Sequence, residues 1–346
     1  MRRGLRTLII TSTVAAVAAG ALVTPSAGAE PAESPTAARI GVSVATLWTS
    51  PDAPRTIDAA ALGTAANPAA WLRSLSTGER RGLNGRVESQ ALYGQPVEVL
   101  EQRDGWARVV LPTQPSPKDG RGYPGWIPME QLVTGDVVSA ETSPPTGLEA
   151  VVKRRKAWAF DSADRTVGAL KLSYGTRLPV LGVAGPTISV SGPDGRTLWV
   201  SAKRVKIVAT GDPARRPTKR AVVKEARKFL GLPYLWGGTS GFGFDCSGFT
   251  HAVYAQLGIE IPRDATPQFG QGTPIASRAD LRRGDLVFFR TSSGVLHHVG
   301  IYVGRGRMIH SPRTGQPVQY STITTGLWAR EFAGGRRLVK PRSARG

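Results

Sequence analysis

Cys246 is the only cysteine in the 346 residues of the chain, so no intrachain disulfide can staple its fold. All four histidines, His251, His297, His298 and His310, lie downstream of it. A lone thiol with every histidine behind it is a candidate nucleophile with its bases nearby. The plainer reading is a buried structural cysteine, and the surroundings have to decide between the two.

The first residues bear on that choice. Arg2, Arg3 and Arg6 give a positive start, residues 8–23 are apolar, and Ala27-Gly28-Ala29 is a small-x-small cleavage site. Residues 1–29 therefore read as a secretory signal peptide. The apolar run is short for a bilayer span and carries Thr11, Ser12 and Thr13. The expectation is a secreted, extracellular and cell-wall-associated protein with no stable membrane span after cleavage. A thiol kept free in an oxidising place points to chemistry. The net charge of +20 would suggest nucleic acid inside a cell, but no zinc-finger, RNA-binding or helix-turn-helix signature accompanies it. Outside a cell the matching partners are anionic cell-wall polymers, and the competing reading is a basic surface that serves only solubility.

Forty-one glycines and 26 prolines favour short strands and turns over long helices. Residues 30–39 are rich in Pro, Ala and Glu and read as disordered. A first domain spans 40–136 with an insertion at roughly 50–85. Residues 41–48 alternate like a strand, Asn67-Pro68 opens a short helix carrying Trp71, Leu72 and Leu75, and strands resume at 89–94, 96–100 and 106–110. A second block, 148–210, rhymes with the first. Tyr93-Gly94 followed by Val97, Val99 and Leu100 matches Tyr174-Gly175 followed by Leu178, Val180 and Leu181, and Trp126-Ile127 matches Trp199-Val200. This is a tandem of small all-β units, joined by a linker at 142–146. Residues 212–217 form the next boundary. Beyond it Thr218 caps a helix that ends at Gly231 and Pro233, within a third domain at 217–340.

That third domain holds the chemistry. Phe249, Val253 and Leu257 keep a helical period that stops at Gly258, which sets Cys246 at a helix N-terminus. There the helix dipole and free N–H groups favour a thiolate and can bind an oxyanion. Residues 284–289 read as a strand, and 297–310 as a hairpin around Gly304-Arg305-Gly306. A three-residue loop would pair Val303 with Arg307 and Gly300 with His310, placing His298 and His310 on one face; a two-residue loop would place them on opposite faces. A triad therefore demands the longer loop. In it His298 accepts the thiol proton and His310 fixes the tautomer. His297 would face away, and His251 would be a surface or packed residue on the helix after Cys246. One thiol is too few for a zinc site, and no metal or other cofactor is expected.

Tyr234-x-Trp236-Gly237-Gly238, Phe244-Asp245-Cys246-Ser247-Gly248, Ile261-Pro262-Arg263, Gly284-Asp285-Leu286-Val287-Phe288-Phe289, His298-Val299-Gly300-Ile301-Tyr302 and Met308-Ile309-His310 occur together and in this order. The set resembles the NlpC/p60 family of cysteine peptidases. The resemblance implies an α+β fold, with a papain-like NlpC catalytic domain preceded by two small all-β SH3-like barrels. It also implies hydrolysis, through a thioester, of the γ-D-glutamyl to diamino-acid bond in peptidoglycan stem peptides such as murein tripeptide or tetrapeptide. By motif position Cys246 is the nucleophile, His298 the base and His310 the third member.

The paired SH3-like units resemble the subgroup that cuts after L-Ala-γ-D-Glu with a free N-terminus. There a carboxylate and a tyrosine of the first SH3-like domain wall off the pocket, and an Asp beside the Cys helps bind the amine and the glutamyl carboxyl group. The matching substrate-binding candidates are Asp245, Ser247, Tyr234, Tyr123 and Glu88. One departure stands out: Asp264-Ala265-Thr266 follows Ile-Pro-Arg where relatives often carry a serine, so a contact to the acidic groups is missing or moved to Thr266. Two other readings remain open here. One is a wall-binding module whose papain-like domain is inactive or transfers acyl groups, and the other is an amidase that frees whole stem peptides.

Overall fold

Alternating apolar runs become strands because period-two burial matches the pleat. In the computed structural model, which describes residues 36–135, 146–211 and 217–339, such runs build three large sheets, beside a two-stranded one in the third domain. The signal peptide expected at 1–29 and most of the connections expected at 142–146 and 212–217 lie outside the described residues. The first sheet contains β1 (Thr36–Ile40), β2 (Val44–Trp48), β3 (Val87–Leu92), β4 (Pro96–Arg103), β5 (Trp106–Leu111), β6 (Tyr123–Pro128) and β7 (Leu132–Val133), in the order β3-β2-β6-β5-β4-β1-β7. Residues 36–39, expected to be disordered, belong to β1. This strand pairs with both β4 and β7 and buries Ala38 and Ile40, so pairing on two sides overrides its polar composition.

The second sheet contains β8 (Leu148–Val152), β9 (Lys156–Phe160), β10 (Gly168–Ser173), β11 (Arg177–Ala184), β12 (Thr187–Ser191), β13 (Thr197–Ser201) and β14 (Val205–Ala209), in the order β10-β9-β13-β12-β11-β8-β14. Strand for strand this is the topology of the first sheet, so the tandem repeat holds. Among the described residues neither hydrogen-bonded order closes on itself, so each unit is a curled SH3-like sheet and not a closed barrel. The repeated Tyr-Gly pair has a physical meaning. Gly94 and Gly175 have φ of 78° and 85°, as the turn after β3 and after β10 requires. Each tyrosine inserts into the next domain. Tyr93 packs in the core of the second sheet. Tyr174 packs in the catalytic core, 4.7 Å from Phe229 and edge-on to it, and donates to Glu225 at 2.9 Å.

The insertion folds as expected at α1 (Pro68–Ser74), where Asn67 Oδ1 accepts from Ala70 N at 3.0 Å, and is followed by α2 (Thr77–Arg81). Trp71, Leu72 and Leu75 pack with Trp48 and Val87 of the first sheet and with Leu235 and Phe242 of the catalytic domain. Beneath them Asp58 is fully buried and accepts from Arg55 Nε at 2.8 Å, Arg55 Nη2 at 2.9 Å and Trp71 Nε1 at 2.9 Å. Burial pushes this carboxyl up, but the bonds from Arg55 and Trp71 outweigh it and hold the group below its ordinary range.

The catalytic domain adds α3 (Lys219–Arg227), β15 (Thr239–Ser240), β16 (Gly243–Phe244), α4 (Cys246–Ala255), α5 (Ala265–Phe269), β17 (Thr273–Ile275), β18 (Leu286–Arg290), β19 (Leu296–Gly304), β20 (Arg307–His310), β21 (Gln319–Thr322), α6 (Gly326–Arg330) and β22 (Phe332–Arg337). Its six-stranded antiparallel sheet runs β17-β22-β18-β19-β20-β21, and α3 and α4 share one core with it through Phe229, Phe244, Phe249 and Phe288. This helix-on-sheet layering matches the papain-like expectation. The second SH3-like sheet lies so close that a Cβ on Gly241 would stand 1.9 Å from the carbonyl oxygen of Arg155.

The Asp58 cluster yields the first prediction. Asp58→Ala leaves Arg55 and the Trp71 indole without their buried acceptor and should destabilise the first domain by about 3 kcal/mol in denaturant unfolding. Because the folded carboxyl titrates below its ordinary value of 3.8, its stabilisation should be full at neutral pH and fade as pH falls below 3.8. A wild-type advantage that persisted undiminished into strong acid would contradict this account.

Candidate active site

Cys246 is the first residue of α4, and Asp245 caps that helix by accepting from Gly248 N at 2.7 Å. Position alone favours a thiolate, but burial decides otherwise. Burial pushes the thiol up to about 12, and the neighbouring Asp245 carboxylate adds to this. Arg263 and the backbone N–H groups of Ser247 and Val299 act in the opposite direction without reversing it. At neutral pH the resting sulfur is therefore a thiol, not the stabilised thiolate expected from the helix N-terminus.

The hairpin that carries the histidines differs in detail from its expectation. Gly304 pairs with Arg307 across a two-residue turn, with Arg305 and Gly306 at φ of 54° and 65°. A bulge follows, and the ladder resumes with Tyr302 opposite Met308 and Ile301 opposite Ile309. The bulge absorbs one residue, so a two-residue turn produces the register of a three-residue loop. His298 and His310 thus share a face, and His298 Nε2 lies 2.7 Å from His310 Nδ1. His310 Nε2 lies 2.9 Å from Ser321 Oγ. The chain of bonds closes when His298 donates to His310 and His310 donates to Ser321, which leaves the lone pair of His298 on Nδ1. Trp328 of α6 covers the pair, with ring centroids 4.8 Å from His298 and 5.2 Å from His310. Burial drives His298 well below the ordinary imidazole value, with His310 and His297 adding to the effect; burial alone takes His310 to about 3. Both rings are neutral at rest.

At the other end of the cavity, charges are paired in layers. Arg263 is 1% exposed and meets Asp245 with Nη2 to Oδ2 at 2.5 Å and Nη1 to Oδ1 at 3.2 Å. It also donates to Ser247 Oγ at 3.0 Å and to Ser89 Oγ of β3 at 3.0 Å. Asp245 is thus engaged by the helix and the guanidinium. Beside this pair, Tyr123 Oη lies 3.0 Å from Asp264 Oδ2 and 3.2 Å from Glu88 Oε2. Lys118 Nζ pairs with Glu88 and donates to Tyr123 Oη at 3.0 Å. Tyr123 and Tyr234 are both raised above the ordinary phenol value, in each case first by burial. Both stay protonated and able to donate.

One cavity of about 860 Å³ is lined by Cys246, His298, His310, Asp245, Ser247, Tyr234, Tyr123 and Glu88. Every candidate drawn from the sequence therefore reaches the same space, and Thr266 does too. His297 sits at the rim with Nε2 3.0 Å from Glu331, while His251 is buried with Nδ1 2.8 Å from the Ile261 carbonyl. The sequence reading missed Arg263, Asp264, Lys118 and Trp328 as site residues. Arg263 had a signal, a charge set between the apolar Ile261-Pro262 and a helix start. Lys118 and Trp328 had none, because loop and short-helix positions carry no periodic pattern.

The geometry agrees with comparisons to known proteins. Residues 231–337 match the NlpC/P60 family, 152–207 the YKFC SH3b2 domain, and 80–132 the bacterial dipeptidyl-peptidase Sh3 domain. The chain is 38% identical over 307 residues to the gamma-D-glutamyl-L-lysine dipeptidyl-peptidase of Bacillus cereus, which covers 87% of this chain and 90% of that one. It is 36% identical over 300 residues to the Bacillus subtilis protein of the same name, covering 85% and 96%. A crystal structure of an NlpC/P60 family protein from Bacillus cereus superposes with a TM-score of 0.83 at 36% identity, covering 88% of this chain and 100% of that one. A lone thiol at a helix start, a buried histidine pair and two SH3-like domains ahead of them thus have one common explanation: the chain belongs to the NlpC/P60 family of cysteine peptidases.

Proposed function

We propose that this protein is an exported cysteine peptidase that hydrolyses the γ-D-glutamyl to diamino-acid bond of peptidoglycan stem peptides whose N-terminal L-Ala carries a free amine. One observation carries the reading. The cavity holding Cys246 and the histidine pair is walled by Glu88 and Tyr123 of the first SH3-like domain and by Asp264. Two carboxylates at the end of a peptide-sized cleft complement a terminal ammonium. The names of the two Bacillus relatives point to the same bond class.

Starting from neutral groups, His298 Nδ1 takes the proton from Cys246 as sulfur attacks the glutamyl carbonyl. His310 and Ser321 hold the ring and spread the charge that develops. First-turn N–H groups of α4 are placed to receive the oxyanion. Collapse breaks the C–N bond, and the amine leaves with the proton held by His298. Water, deprotonated by the same ring, then hydrolyses the thioester and restores the thiol. Ser247, Tyr234 and Thr266 supply hydroxyls for the glutamyl carboxylate.

Export is proposed from the pattern of residues 1–29. Among the described residues no helix is long and apolar enough to cross a membrane. Anionic wall polymers are proposed as a further partner. Besides the net charge of +20, Lys219, Arg220, Lys224 and Arg227 of α3 line a groove with Arg283, without an acidic residue among the described lining.

Mass spectrometry should find L-Ala-γ-D-Glu released from L-Ala-γ-D-Glu-diaminopimelate, and the N-acetylated peptide should be a poor substrate. Cys246→Ala should lower the rate by roughly 10⁴-fold or more. Full activity in that variant would remove the thiol from the mechanism, and release of intact stem peptides from sacculi would indicate an amidase instead. The base must be neutral to accept a proton, and burial lowers His298 below 6.5. The acid limb of kcat/KM should therefore lie below pH 6.5, and Trp328→Ala, which uncovers the ring, should shift it upward. An acid limb above pH 6.5 in the wild type would contradict a desolvated base.

A further inference from the structure

We propose that Lys118 is a displaceable occupant of the amine subsite: its ammonium fills the place of the substrate's N-terminal ammonium and is exchanged for it on binding. The inference rests on the amine subsite proposed above and adds a residue that the sequence motifs do not contain. Lys118 lies in the loop between β5 and β6. Its Nζ pairs with Glu88, donates to Tyr123 Oη at 3.0 Å and stands 4.7 Å from the centroid of the Tyr123 ring. A lysine ammonium and a peptide N-terminus are both primary ammonium groups with three donors. A carboxylate, a phenol oxygen and an aromatic face are what either would bind.

The two cations beside these carboxylates differ in how they are held. Arg263 is 1% exposed and fixed by Asp245, Ser247 and Ser89. The Lys118 side chain is 40% exposed, and its partner Glu88 is 25% exposed. An exposed pair of this kind contributes little, and a four-carbon stem can swing into water at small cost. Exchange also conserves charge. With Lys118 in place, Glu88 faces a resident cation, while Asp264 Oδ1 lies 3.7 Å from Arg263 Nη1; when a substrate ammonium enters and Lys118 leaves, the balance at Glu88 returns. An acylated N-terminus brings no charge and gains nothing by displacing the lysine. The lysine therefore competes with a free-amine peptide for the subsite, while keeping Glu88 from standing uncompensated when the subsite is empty.

The test uses the full chain and its Lys118→Met variant, assayed with L-Ala-γ-D-Glu-diaminopimelate and its N-acetyl form. Removing the resident ammonium should lower KM for the free-amine peptide roughly two- to five-fold, with the gain in KM and not in kcat. It should leave KM for the N-acetyl peptide unimproved. n-Butylamine should compete with the free-amine peptide more strongly in the variant than in the wild type. An unchanged KM would overturn the proposal, and a raised KM would show that Lys118 instead binds a substrate carboxylate. If the wild type cleaves both peptides equally well, the amine subsite itself fails. If it demands the free amine while Lys118→Met shows no gain, only the role of Lys118 fails.

Discussion

The buried ion pair between Arg263 and Asp245 fastens the helix that carries Cys246 to the rest of the molecule. Asp245 caps the helix that begins with Cys246. Arg263 grips that carboxylate with two nitrogens, reaches Ser89 of the first sheet, and donates its backbone N–H to the Pro115 carbonyl at 3.0 Å. Ser89 in turn donates to Gln114 Oε1 at 2.5 Å, and Gln114 Nε2 donates to the Gln90 carbonyl at 2.7 Å. A planar guanidinium with several fixed donors can hold these directions at once, which a lysine could not. The thiol and the carboxylate end of the cleft belong to different domains, yet this one residue sets where they lie relative to each other.

The same economy links the three domains. Tyr93 leaves the first sheet for the second, and Tyr174 leaves the second sheet for the catalytic core. Thr239, just before the cysteine motif, donates its N–H and hydroxyl to Gln90 Oε1 and O at 3.2 and 2.9 Å. Large rings buried across a boundary resist sliding far better than the polar contacts of loosely joined domains. This explains how a wall built from one domain can shape a pocket whose chemistry belongs to another.

Within the site, burial outweighs the helix dipole. The N-terminus of α4 favours a negative sulfur, but removal from water costs a charged thiol more than the dipole returns. The same desolvation, reinforced by Trp328, keeps His298 and His310 uncharged. In the proposed mechanism, charge therefore develops only as the proton moves, in a place where the hydrogen-bonded chain through His310 to Ser321 can stabilise it.

The place of Cys246 at a helix start, the helix opened by Asn67-Pro68 and the tandem repeat announced by two Tyr-Gly pairs were all legible in the amino-acid sequence. Each is a short-range signal: a cap, a period, a turn residue or a spacing. Tertiary structure decided the rest. The face shared by His298 and His310 depends on a bulge that no local residue announces, and β1 exists because two distant strands accept its backbone. Arg263 acquires its meaning from Ser89, 174 positions away, and Asp264 from Tyr123, 141 positions away. The protonation states follow from water being excluded by the whole fold. Short-range patterns report what a segment can become, whereas long-range pairing and desolvation are properties of the assembled chain.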